Sequence, residues 1–127
     1  MSTILSSASV FLVRDVTHSA AFYRDMLGFT FSRYWGEPPS FCMVWRNESC
    51  IMLAQVEDDQ EIHPNRQNNH KMCDAYFWVD DIQQLFQEYQ QKGVVFSCSL
   101  IEKPYGVLEF ALIDPDGYEL AFGRELE

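Results

Sequence analysis

Apolar and polar positions alternate on either side of the stretch Asp114-Pro115-Asp116-Gly117. A period of two is the mark of a strand with one buried face, so the pattern predicts a hairpin closed by a tight turn. Proline presets φ at the turn's second position, and glycine takes the left-handed residue that follows. In the resulting register Ile113 faces Glu119, Leu112 faces Leu120, Ala111 faces Ala121 and Phe110 faces Phe122. Phe110, Leu112, Leu120 and Phe122 then share one face and form core. The opposite face carries Glu109, Ala111, Ile113, Glu119 and Ala121, a carboxylate placed among small and apolar residues.

Helical spacing replaces alternation at Ile82, Leu85, Phe86 and Tyr89. The same order of patterns occurs earlier in the chain. When Phe11–Phe31 is set beside Phe77–Phe96, Phe11 matches Phe77, Val13 matches Val79, Asp15 matches Asp81, Val16 matches Ile82 and Tyr23 matches Tyr89. After a gap of one residue, Gly28 matches Gly93 and Phe31 matches Phe96. Each copy reads as a strand, an acidic helix start, an amphipathic helix, a glycine stop and a strand. Asp15 or Thr17 can cap the first helix, and Asp80 or Asp81 the second. Gly28 and Gly93 suit the left-handed position after a helix.

A hairpin follows each copy, the first turning at Asn47-Glu48. The fold class is therefore α+β: two βαβββ modules in a single domain, with curved mixed sheets and helices on the outer face. The first module spans about 5–56 and the second about 72–125. Between them, about 57–71, the chain is polar, lacks periodicity and carries a proline, so it reads as a surface linker. Sheets covered by helix on one face only must bury the other on each other, on a second chain or on a ligand.

Composition narrows the function. A chain of 127 residues with 47% hydrophobic content builds a well-filled core, and four cysteines without C-x-x-C spacing read as reduced thiols. The net charge of −10 argues against nucleic acid and anionic membrane, which need Lys and Arg, and suits a cationic ligand or simple solubility. No apolar run is long enough to span a bilayer, and the first residues lack the basic start of a signal peptide. A cytoplasmic location is expected. Phosphate-binding glycine loops, a nucleophile elbow and a spaced Cys–His or Ser–His pair are all missing. Tyr105-Gly106 reads as a structural bend.

The stretches VRDVTHSAAFYRDMLGF, FWVDDIQQLFQEYQQKGV and above all PYGVLEFALIDPDGYELAFG carry a family resemblance over nearly the whole chain. It resembles the vicinal oxygen chelate superfamily of glyoxalases, dioxygenases and bleomycin resistance proteins, most closely the bleomycin resistance branch. For metal-using members, the resemblance implies one ligand from each of four cleft-facing strands, His or Glu as a rule. Those places fall on Ala8, Met52, Asp74 and Ala121, leaving one carboxylate where at least three donors are needed. His18 lies in the first turn of the first helix, and His63 and His70 lie in the linker. No metal and no other cofactor is expected.

The cleft faces follow from the alternation. The first module contributes Ala8, Val10, Leu12, Phe41, Met43, Trp45 and Met52; the second contributes Asp74, Tyr76, Trp78, Glu109, Ala111, Ile113 and Ala121. A solvated sheet face would carry Thr, Lys, Gln and Ser there. One reading is plain packing of sheet on sheet or subunit on subunit, with Asp74 and Glu109 at the rim. The other is a ligand site formed by Phe41, Met43, Trp45, Met52, Asp74, Tyr76, Trp78 and Glu109, apolar with a few placed polar groups. The resemblance implies acidic homodimers that hold a cationic drug between subunits. The expected function is metal-independent sequestration of a small, cationic aromatic molecule. The alternatives are a glyoxalase-type lyase or isomerase with a displaced metal site, a metal-free enzyme using Glu109 or Asp74 as base, and a regulatory or structural partner protein.

Overall fold

A computed structural model describes residues 1–127, which form two compact units, residues 1–62 and 63–127. The first unit runs β1 (Ala8–Val13), α1 (Val16–Asp25), β2 (Tyr34–Trp35), β3 (Phe41–Arg46) and β4 (Ser49–Gln55). Its sheet has the order β1-β4-β3-β2, with β1 parallel to β4 and the other pairs antiparallel. Asp15 caps α1, its carboxylate accepting from the amides of Thr17 and His18. Val16, Ala20 and Tyr23 of α1 are fully buried, and the helix packs on β3 and β4. Asn47 and Glu48 make the expected two-residue turn, since Arg46 pairs with Ser49. Asn47 takes φ 54°, a left-handed conformation that asparagine tolerates.

The second unit repeats the plan as β5 (Ala75–Trp78), α3 (Ile82–Lys92), β6 (Phe96–Lys103), β7 (Val107–Ile113) and β8 (Glu119–Glu125). Strand order is β5-β8-β7-β6, again with one parallel pair, β5 with β8. Asp81 is the cap of α3, and Gly93 ends the helix at φ 80°. Tyr23 and Tyr89, matched by the sequence repeat, occupy equivalent buried positions at 0% exposure. Phe110 stacks on Phe122 at 5.0 Å between ring centres, and Phe77 stacks on the other side of Phe122 at 4.9 Å. Burying each such ring contributes about 1.5–3 kcal/mol.

The β7–β8 register is the one that the turn predicts, from Ile113 opposite Glu119 through Phe110 opposite Phe122. One oxygen of Asp114 accepts from the amides of Asp116 and Tyr118, each at 2.9 Å, which locks the turn.

The linker is more structured than its polarity suggests. Ile62 is 5% exposed, Pro64 is buried, and a single helical turn, α2 (Asn65–Asn68), follows. Strand β6 also departs from simple alternation, shifting register between Phe96 and Cys98 and again between Cys98 and Ile101. The shifts bring Ile101 opposite Glu109. No helix is long and apolar enough to cross a membrane.

Candidate functional site

On the helix-free face of the second sheet, Tyr76 pairs with Ala121 and Trp78 with Gly123, while β7 sets Glu109 opposite Gly123. The small residues of β8 leave room for the ring of Tyr76 to lie across the strand. A Cβ on Gly123 would run into the Tyr76 hydroxyl and come within 2.8 Å of the ring carbon that bears it. Lying there, Tyr76 donates to Glu109 Oε1 at 2.7 Å.

Tyr105 reaches the same carboxylate from the β6–β7 turn, its hydroxyl 2.9 Å from Oε1 and 3.0 Å from Oε2. Gly106 supports that turn at φ 78°. Lys103 Nζ lies 4.0 Å from Oε2. Glu109 is thereby 8% exposed, whereas Trp78 is 62% exposed with its ring centre 4.9 Å from that of Tyr76. Partial burial, the bond to Glu109 and its negative charge push the Tyr105 hydroxyl up to about 12. The same causes raise Tyr76 further. Both phenols are therefore neutral donors at physiological pH.

Asp74, expected on this face, turns its carboxylate to the backbone instead. Oδ1 accepts from the amide of Asn65 at 2.8 Å and Oδ2 from the amide of Glu119 at 2.9 Å. It ties α2 to the start of β8.

In the first unit, β-pairing places Met43 opposite Met52, Phe41 opposite Ala54, and Val10 beside Met52. Trp45, opposite Cys50, is 37% exposed and Val10 64% exposed. The expected residues Phe41, Met43, Trp45 and Met52 thus share one apolar face. Sequence reasoning missed Trp35 on this sheet. It meets Phe41 edge-on at 5.6 Å and carries the Arg33 guanidinium 4.3 Å above its ring. The only available signal was an aromatic pair before the Gly36–Pro39 turn, too short to reveal a strand.

A family profile, the Glyoxalase/Bleomycin resistance protein/Dioxygenase superfamily, matches residues 7–122. The chain belongs to this superfamily. A bleomycin resistance protein from Geobacillus stearothermophilus is 26% identical, the match covering 98% of this chain and 99% of that protein. Among solved structures, a glyoxalase/bleomycin resistance protein/dioxygenase from Alicyclobacillus acidocaldarius superposes with a TM-score of 0.75 at 17% identity, covering 96% of this chain and 92% of that one. TnmS3, an antibiotic binding protein from Streptomyces sp. CB03234, gives 0.68 at 17% identity, covering 98% and 99%.

The donors in this superfamily member do not fit a metal. Ala8 and Ala121 offer none, Met52 offers a thioether, and both oxygens of Asp74 already accept backbone amides. Elsewhere, no three His, Cys, Asp or Glu side chains gather as a metal site would require. The four cysteines are free, and burial pushes the Cys42 thiol up to about 11, which keeps it protonated and unreactive. A groove of about 380 Å³ opens elsewhere in the second unit, between the start of α3, Leu108, Arg124 and Leu126. None of the aromatic face residues lines it.

Proposed function

We propose that this chain binds and sequesters a small, flat, cationic aromatic molecule without a metal, as a cytoplasmic homodimer and not as an enzyme. The observation that carries the reading is the pair of exposed aromatic rings, Tyr76 and Trp78, with centres 4.9 Å apart and the Tyr76 hydroxyl donating to the buried residue Glu109. Aromatic faces hold a cation by about 0.5–2 kcal/mol each. A phenol that donates its proton to a carboxylate becomes richer in electron density, which strengthens that attraction. The net charge of −10 acts in the same direction at long range. The similarity to a bleomycin resistance protein and to an antibiotic binding protein supports binding as the activity.

Within the expected site, Tyr76 and Trp78 form the primary contact surface in this reading, and Glu109 holds the Tyr76 hydroxyl from behind. Phe41, Met43, Trp45 and Met52 provide a further apolar face, and Asp74 acts as a brace. Glu109 is poorly placed to be a general base, because both of its oxygens are turned to phenolic protons. The dimer rests on exposed apolar area such as Val10 and Ile101, 64% and 54% exposed.

The test is titration of purified, tag-free protein with flat cationic dyes and bleomycin-like glycopeptides, followed through tryptophan emission. Saturable quenching is expected, with the ligand recovered unaltered by mass spectrometry and no stoichiometric zinc, nickel, manganese or iron by elemental analysis. Chemical conversion of the ligand, or one tightly held metal per chain, would overturn the proposal.

A further inference from the structure

We infer that the phenolic oxygens of Tyr76 and Tyr105 form an acceptor pair that selects ligands bearing N–H groups, and that Glu109 sets this polarity by holding both phenolic protons. The inference rests on the binding reading above for where the ligand lies. A hydroxyl has one proton and two lone pairs, and an ionised carboxylate can only accept. Tyr76 directs its proton to Oε1, and Tyr105 shares its proton between Oε1 and Oε2. Neither phenolic oxygen accepts a hydrogen bond from any other group of the chain.

Both rings stand in the open, Tyr76 at 37% and Tyr105 at 65% exposure, while the carboxylate that orients them is buried. The lone pairs of the two phenolic oxygens are therefore left unused by the chain. An amine, amidinium or ring N–H meets an acceptor there. A carbonyl, quinone or ether oxygen meets a lone pair, and a polar group desolvated without a partner is costly. The Lys103 ammonium lies 4.0 Å from Glu109 Oε2, where it meets the carboxylate and not a phenolic oxygen. Charge alone does not describe such a site; a cation without N–H is a poorer match than one with it.

Two matched pairs of flat three-ring probes separate these properties in calorimetric titrations of the intact chain. In the first, 9-aminoacridine and N-methylacridinium are both cations, and only the former carries N–H. In the second, carbazole and dibenzofuran are both neutral and share one shape, with N–H in the former and an ether oxygen in the latter. The N–H member of each pair is expected to bind about five- to tenfold tighter. In Glu109→Gln, the amide donates to one phenol and releases its hydroxyl outward, so the preference should collapse in both pairs. Should that variant fail to fold, the double variant Tyr76→Phe/Tyr105→Phe must lose the preference instead. Equal binding within both pairs would overturn the inference and leave the binding proposal standing. A preference that persists in Glu109→Gln would remove Glu109 from it. No binding by either acridine cation at about millimolar concentration would sink the binding proposal itself.

Discussion

Tyr76 lies flat across Gly123, and only a residue without a side chain at that point allows its hydroxyl to reach Glu109. The two residues sit on neighbouring parallel strands, and the contact links the backbone of β8 to the polarity of the open face.

Gly123→Ala should destabilise the fold by about 1–3 kcal/mol, the usual cost of overpacking. In a Tyr76→Ala background most of that loss should vanish, giving a clear coupling energy in a double-mutant cycle of denaturant unfolding. Additive effects would show that the glycine serves something other than the tyrosine.

Alkaline titration should resolve the phenols. Of six tyrosines, Tyr105 is expected to ionise near pH 12 and Tyr76 later still, above the ordinary value of about 10. The unfolded chain loses these protons first. Their contribution to stability is therefore complete below about pH 10 and disappears as pH rises through the folded-state values. Near-ultraviolet absorbance against pH, with Tyr105→Phe for assignment, measures the shift; a normal titration of all six would contradict it.

Asp74→Ala removes the acceptor of two backbone amides and should cost about 1–3 kcal/mol of stability. Ligand affinity at a temperature where the variant is folded should not change. Lost affinity at unchanged stability would return Asp74 to the ligand surface.

Lys103→Met withdraws the ammonium 4.0 Å from Glu109. Affinity for 9-aminoacridine should rise about two- to fivefold, as expected for a partly exposed charge contact, and carbazole should be unaffected. Added salt should narrow the difference between wild type and variant. A loss of cation affinity would mean that the lysine stem, through its packing, matters more than its charge.

Sedimentation at micromolar concentration should reveal a species of about twice the 14.8 kDa chain mass. A clean monomer at every concentration would rule out the homodimer.

Much of this architecture is written in local patterns. The duplicated βαβββ order, the helix starts at Asp15 or Thr17 and at Asp80 or Asp81, and the glycine stop at Gly93 depend on interactions within a few residues, which sequence spacing reports directly; the structure chose Asp15 and Asp81 as the caps. The Asp114–Gly117 turn fixes the β7–β8 register, and a strand's strict period of two then puts Glu109 on the open face. That much the sequence by itself determined. The tertiary structure alone decided what each polar group on that face does. Tyr105 looked like part of a bend, yet its hydroxyl closes on Glu109; Asp74 looked ligand-facing, yet it holds two backbone amides. Trp35 gained a place through pairing with Phe41, and Gly123 gained a purpose through a ring from β5. These outcomes depend on rotamers and on contacts between strands far apart in sequence, where periodicity fixes a side chain's face but not the partner that it finds there.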